Sequence, residues 1–485
     1  MSAPIWTSSD IAAALGIGAQ GEWSATGVSI DSRTLQAGDL FVALAGPRHD
    51  GHEYLAAAFS AGAAAAIVAR APADLPNDGR LIVVPDTLDA LRRLGAAARA
   101  RASAKVLAVT GSVGKTGVKE ALKLVLAAHG ATHASTGSYN NHIGVPLTFA
   151  RLPAEAAFAV IEIGMNHAGE ISPLAQLARP HVAVVTTIEP VHLEHFPDNG
   201  LDGIAEAKAE IFDGTGGETA VINRDNGYFD FLAARARERG FVHVVGFGAH
   251  EQADARLLEA TLEPTSSVVT ASIAGAPVTY RVGIPGRHWA INSLAVLAAA
   301  VMAGADLDTS AAQLAHLTPP KGRGQRHRVR RGPGAFELID DSYNASPASM
   351  RAAFSVLGAA VPGPAGRRIA VIGDMLELGP DSAAMHADLA GALVAARVDV
   401  VFTCGRHMAE LDAGLPANIR GAHAVDSSTL SPLVKSAIRP GDVVLVKGSL
   451  GSRMAIVVEA LLAANGSDVG GRTTRAASAR RAVNG

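Results

Sequence analysis

Uninterrupted apolar runs alternate with alanine-rich helical stretches along most of this 485-residue chain. Residues 105–110 (K-V-L-A-V-T), 158–163 (F-A-V-I-E-I), 181–188 (H-V-A-V-V-T-T-I) and 218–223 (E-T-A-V-I-N) have almost no polar interior positions. Such runs predict strands buried on both faces, and the helical stretches between them predict a parallel sheet covered by helices. Shorter runs at 27–30, 39–44, 66–68 and 81–84, with helices at 54–61 and 87–100, predict a smaller α/β unit before it. A third alternating set lies at 336–340, 368–373, 399–404 and 442–447. Residues 317–334, with adjacent Pro319 and Pro320 and a cluster of arginines, read as a linker that also carries function. The expected organisation is an α/β chain of three domains: a small N-terminal α/β substrate domain at 1–103, a central P-loop parallel-sheet domain at 104–316 and a C-terminal Rossmann-like domain at 317–465. A polar Gly/Ser/Arg/Ala tail, expected to be disordered, follows at 466–485.

Composition narrows the classes. Hydrophobic residues at 48% supply cores for several domains, but aromatics at 4% leave the packing to alanine and the aliphatics. A net charge of −3 gives no bulk attraction to nucleic acid or an anionic membrane. The single cysteine, Cys404, excludes an internal disulfide and reads as a buried small hydrophobe in a strand. The first residues lack the layout of a secretory signal, and the apolar stretch 289–305 is interrupted by Asn292 and Ser293, so it reads as a core helix. The expectation is a soluble, cytoplasmic protein, with nothing demanding more than a monomer.

Residues 109–116 read V-T-G-S-V-G-K-T, with the strand before them and a helix beginning near Lys115. Backbone N–H groups of Gly111, Ser112, Val113 and Gly114, with the helix N-terminus, form a concave donor site for phosphate oxygens. Lys115 then meets the outer phosphates and the Thr116 hydroxyl ligates Mg²⁺. Val109 stands where the full Walker pattern has glycine, so the match is to the shorter G-x-x-G-K-T form. Glu162 is the one acid in an apolar strand, near its carboxyl end, where ligands of open α/β sheets bind; it reads as a Mg²⁺ ligand or as a carboxylate satisfied by protein donors. His192, on the loop after 182–188, reads as structural or as a metal ligand. In the helical stretch 203–212, Ile204, Lys208, Ile211 and Phe212 share one face, with Glu206 and Glu210 opposite. A lysine on that face either snorkels outward or has inward chemistry.

Together G-S-V-G-K-T, G-S-Y-N-N-H-I-G-V-P at 137–146, E-I-G at 162–164, H-L-E at 192–194 and A-K-A-E-I-F at 207–212 closely resemble the Mur ligases. Within that family, D-D-S-Y-N-A-S-P at 340–347, G-D-M-L-E-L-G at 373–379 and V-K-G-S at 446–449 resemble the type that adds D-alanyl-D-alanine to a UDP-muramoyl tripeptide; the D-N-P-R element of the diaminopimelate-adding type is absent. The resemblance implies three domains and an ATP-dependent amide ligase that activates the tripeptide carboxylate as an acyl phosphate.

Carried over, the resemblance implies two Mg²⁺ ions, the first held by Thr116 and Glu162, the second by His192, Glu162 and a carbamate on Lys208. It places Asn140 and Asn141 near the γ-phosphate and substrate, Asn292 against adenine and His288 in a usual family position. Arg323 and Asp341, with Tyr343 and Asn344 beside it, would reach back to the nucleotide as the third domain closes. D-S-R at 31–33 and D-G-H at 50–52 resemble signatures for the uridine diphosphate, carried by Ser32, Arg33, Asp50 and His52. Departures are Ser346 in place of a second asparagine, and Trp289 and Ala290 after Gly-Arg-His. The third tripeptide residue, diaminopimelate or lysine, stays open. Another Mur-type or folylpolyglutamate-type ligase is the near alternative, and a P-loop switch or transporter ATPase the distant one.

Overall fold

The structure, a computed structural model, describes residues 4–46, 49–71, 78–214 and 216–463. The expected tail at 466–485 lies outside these. The described chain divides into two compact units on either side of Thr318 and Pro319.

The first unit holds two sheets. In the smaller, Gly27–Ser29, Asp39–Val42, Ala65–Val68 and Leu81–Val83 pair in parallel in that order. The larger, nine-stranded among the described residues, has the parallel order Thr132–Ala134, Phe158–Glu162, Lys105–Thr110, Val182–Val185, Thr219–Asn223, His243–Gly248. The apolar runs become its centre because both faces are covered: Val106, Ala108, Val160, Ile161, Val184 and Val185 are fully buried. The sheet then departs from the all-parallel expectation. Ala255–Leu262 pairs parallel to His243–Gly248, but Ser267–Ile273 and Ala276–Val282 add antiparallel as a hairpin. The tight turn at Ala274 and Gly275, both at positive φ, joins them, and alternate residues from Ser267 to Ile273 face the core. The stretch from Trp289 is a core helix, Arg287–Met302, as expected.

The two sheets of this unit are fastened together, which is why the N-terminal domain does not separate as a body of its own. Helix Thr87–Arg101 lies against helix Gly144–Ala150 so closely that a Cβ on Gly95 would stand 2.9 Å from the Pro146 carbonyl oxygen. Trp6 Nε1 donates to the Ala150 carbonyl at 2.8 Å, and buried Arg99 donates to the carbonyls of Ala178 and Arg179.

In the second unit, Gly334–Asp341, Val443–Lys447, Arg368–Gly373, Val400–Cys404 and Arg420–Ala424 form a parallel sheet in that order. Cys404 is buried, as expected. The linker reading of 317–334 needs correction: Gln325–Arg331 is a strand, paired antiparallel to Gly334–Asp341 at the sheet edge. Its polar sequence hid it, since Val329 alone in it is fully buried, while Arg328 and Arg330 face solvent. Among the described residues no helix is long and apolar enough to cross a membrane.

Candidate active site

Strand Lys105–Thr110 ends at Gly111, whose φ of +137° and lack of Cβ are both required: a Cβ there would lie 2.0 Å from Thr186 Oγ1. The Thr186 hydroxyl donates to the Val113 carbonyl at 2.6 Å. Ser112 N–H donates to the Thr187 carbonyl, and Ser112 Oγ exchanges hydrogen bonds with the backbone of Glu189. The segment leading to His192 is thereby tied to the glycine loop. Gly114, at φ +90°, caps helix Lys115–Ala127, and the Lys115 ammonium donates to the carbonyls of Gly111 and Ser112. The loop is a preformed concave turn opening a helix, the geometry that binds phosphate oxygens.

Helix Arg287–Met302 closes one flank. The Asn292 amide stands beside Gly114, and the Trp289 indole occupies the space a Cβ on Gly117 would need, 2.8 Å away. Trp289, a departure from the family pattern, is accommodated by that glycine. His288 is exposed on the same helix.

Across the loop, Glu162 ends strand Phe158–Glu162, in register with Val109, and is 1% exposed. Its Oε1 accepts from Asn140 Nδ2 at 2.8 Å, and its Oε2 is buried with no hydrogen-bond partner. An orphaned carboxylate oxygen costs about 1–3 kcal/mol or more, so an electropositive ligand fits there. Asn141 serves the backbone instead: its Oδ1 accepts from the N–H groups of Ile143 and Gly144, opening helix Gly144–Ala150. His192 sits partly exposed at φ +59°, where it starts the short turn Leu193–His195.

Lys208 lies in helix Gly200–Ala209, 1% exposed, among Ile204, Ile211 and Phe212. Burial, reinforced by the Lys115 charge, holds its amine well below the ordinary lysine range. The side chain therefore does not snorkel outward, and Glu206 on the opposite face is exposed. Glu210 accepts from the N–H groups of Gly169, Ile171 and Ser172 and so caps helix Ile171–Ala178. Among the described residues no three of His, Cys, Asp and Glu cluster as a metal site. Thr116 and Glu162, like Lys208, are buried polar groups of this unit.

In the small sheet's loops, Asp50 accepts from His52 Nδ1 and Arg70 Nη2, both at 2.6 Å, and His52 Nε2 accepts from the Ala69 N–H. Arg70 first, then His52, hold the Asp50 carboxyl well below the usual range. Arg33 is largely exposed and pairs with Asp31, and Ser32 is partly exposed between them. In the second unit, the Arg323 guanidinium stacks 4.2 Å over the Tyr343 ring. Asp341 is paired to Lys447 Nζ at 2.7 Å, and Lys447 also donates to the Asn344 carbonyl. Burial raises the Asp341 carboxyl despite that pairing.

Sequence reasoning did not single out Thr186, Lys119 or Lys447. The threonine pair after an apolar strand and the lysine of V-K-G-S were visible signals; Lys119 looked like an ordinary polar position of its helix.

A lysine-tipped glycine loop at the carboxyl edge of a parallel sheet, facing an unsatisfied buried carboxylate, marks the chain as a P-loop nucleotide-binding protein. Family comparison makes this specific. The Mur ligase family, catalytic domain, matches residues 24–100, the Mur ligase middle domain 109–300 and the Mur ligase, glutamate ligase domain, 322–450. The chain belongs to the Mur ligase family. It is 37% identical to the UDP-N-acetylmuramoyl-tripeptide–D-alanyl-D-alanine ligase of Escherichia coli over 90% of this chain and 93% of that one. Against the Bacillus subtilis ligase of that name it is 33% identical, again over 90% and 93%. Among solved structures, MurF from Acinetobacter baumannii superposes with a TM-score of 0.79 at 31% identity, over 95% of this chain and 99% of that one. MurF from Thermotoga maritima in complex with ADP superposes at 0.72, with 26% identity over 90% and 97%.

Proposed function

We propose that this chain joins D-alanyl-D-alanine to the terminal carboxylate of a UDP-N-acetylmuramoyl tripeptide, using ATP, in peptidoglycan synthesis. The observation that carries the reading is the glycine loop facing the orphaned Oε2 of Glu162. The relatives' shared activity and the ADP bound by the Thermotoga neighbour support the substrates.

In the first step a carboxylate oxygen of the tripeptide forms a bond to the γ-phosphorus as the bond to the β-phosphate oxygen breaks, releasing ADP. In the second the amine nitrogen bonds to the acyl carbon, the C–O bond to phosphate breaks, and the nitrogen loses a proton. Both reactants of the first step are anions. The loop N–H groups other than that of Ser112, which is already donated to the Thr187 carbonyl, bind the phosphates together with Lys115 and draw off that charge. Thr116 and Glu162 would hold one divalent ion, and Glu162, His192 and Lys208 a second, when present supplying further neutralisation of the transferring phosphoryl group. Lys208 would hold the second ion as a carbamate, formed when its amine, unprotonated, adds CO₂ through a new N–C bond and loses a proton. Asn140 orients Glu162. Asn292 contacts the base, and Arg323, Asp341, Tyr343 and Asn344 supply nucleotide and substrate contacts. Ser32, Arg33 and the Asp50–His52–Arg70 cluster bind the uridine diphosphate end. The domain boundaries near residues 103 and 316 belong to the same reading.

Amine-donor profiling tests it. With ATP, Mg²⁺ and the UDP-muramoyl tripeptide, D-alanyl-D-alanine should drive ADP release, and diaminopimelate, glutamate or single D-alanine almost none. Equal turnover with diaminopimelate or glutamate would reject this donor assignment.

A further inference from the structure

Four residues beyond Lys115, helix Lys115–Ala127 carries a second lysine that the mechanism leaves without a role. Lys119 is fully buried, which is rare for lysine and costly unless all its donors are used. It has three N–H donors, and three acceptors surround it: the Glu120 carboxylate, the Ser135 carbonyl at 2.8 Å and the Gly137 carbonyl at 3.0 Å.

Those two carbonyls belong to the segment that aims Glu162, and they do so by two routes. Ser135 N–H donates to the Val160 carbonyl, and Ser135 Oγ accepts the Glu162 N–H at 3.2 Å, which fixes the backbone of the acid. Beyond Gly137 the segment turns through Tyr139 to Asn140. The Asn140 carbonyl accepts the Gly164 N–H, and its Nδ2 donates to Glu162 Oε1, which fixes the carboxylate and leaves Oε2 as its bare edge. Gly164 and Gly144 permit this close packing: a Cβ would lie 2.9 Å from the Asn140 side chain at the first and 2.5 Å from the Tyr139 backbone at the second. One ammonium thus ties the helix that opens the phosphate loop to the strand end that presents the acid.

We propose that Lys119 is a positioning residue that sets the orientation of Glu162 toward a divalent cation, through Ser135 on the backbone side and Asn140 on the carboxylate side. The proposal rests on the reading of Glu162 as a metal ligand. Glu120 is partly exposed, so removing its partner leaves it able to turn to water.

The test compares Lys119→Met, Lys119→Arg, Ser135→Ala and Glu162→Gln with the parent chain in full length. ADP affinity in EDTA, Mn²⁺ affinity of the ADP-bound protein by electron paramagnetic resonance, and thermal midpoint are measured for each. Outer partners of metal ligands typically control affinity by about 10–100-fold. Lys119→Met should therefore weaken Mn²⁺ binding by about 10-fold or more, with metal-free ADP affinity within about twofold of the parent; Lys119→Arg should recover most of the loss. Ser135→Ala should shift Mn²⁺ affinity in the same direction by less, and it carries the test alone if Lys119→Met does not fold. Unchanged Mn²⁺ affinity in folded Lys119→Met, or in Ser135→Ala when that variant stands alone, overturns the proposal. So does a parallel loss of metal-free ADP binding and thermal stability, which marks a structural role only. Unchanged Mn²⁺ affinity in Glu162→Gln refutes the underlying ligand reading instead.

Discussion

A buried amine is a different reagent from an exposed one. At Lys208 the absence of water and the nearby charge of Lys115 favour the neutral form, the form that reacts with CO₂. A neutral amine is a poor partner for a cation-binding carboxylate, whereas its carbamate is an oxygen donor of the same charge as glutamate. Lys208→Ala should accordingly lower turnover by at least about 100-fold, as expected for loss of a metal ligand. Added acetate or formate should restore part of the rate, because a small carboxylate fits the space left. Parent-like rates from Lys208→Ala would refute the carbamate. On the helical face, one cation among Ile204, Ile211 and Phe212 breaks a regular pattern and leaves Lys208 open between an outward and an inward reading, and the family resemblance alone implies the carbamate. Lys119 escaped the same argument because its acceptors, Ser135 and Gly137, come from a loop whose position depends on the sheet.

Among elements, those legible in the sequence were the ones whose burial is decided by their own residues. The central strands ending at Thr110, Glu162 and Val185 announce themselves by length of apolar run. The edge elements did not. Strand Gln325–Arg331 has one core residue, and the hairpin Ser267–Val282 is half polar by alternation. The helix contact at Gly95 depends on two segments far apart in the chain. Gly95→Val, placed against the Pro146 backbone, should destabilise the first unit by about 1–3 kcal/mol through overpacking. Urea unfolding followed by fluorescence measures this; a cost near zero would mean that helix Thr87–Arg101 slides easily on its neighbour.

For the whole molecule, buried imidazoles make mild acid destabilising. Burial lowers the imidazole pKa of His133 and His181 in the first unit and of His386 in the second below the ordinary 6.5. The unfolded chain therefore binds protons that the folded chain refuses, so stability rises with pH across this window and falls as pH drops below about 6.5. His386 illustrates the cause: its Nε2 accepts from the Met375 N–H while Nδ1 donates to the Ser382 carbonyl, leaving no lone pair for a second proton. Denaturant midpoints should fall between pH 7.5 and 5.5, and His386→Gln should flatten that slope while lowering the midpoint at pH 7.5. A slope unaltered in His386→Gln would assign the acid sensitivity elsewhere.

The arginine-studded strand Gln325–Arg331 has one further effect, on how copies of the chain behave together. An outer strand offers its backbone as a template on which a neighbouring molecule can crystallise a growing ribbon. Arg328 and Arg330 project from that border. Two copies aligned edge to edge there would bring arginine against arginine, which disfavours that pairing.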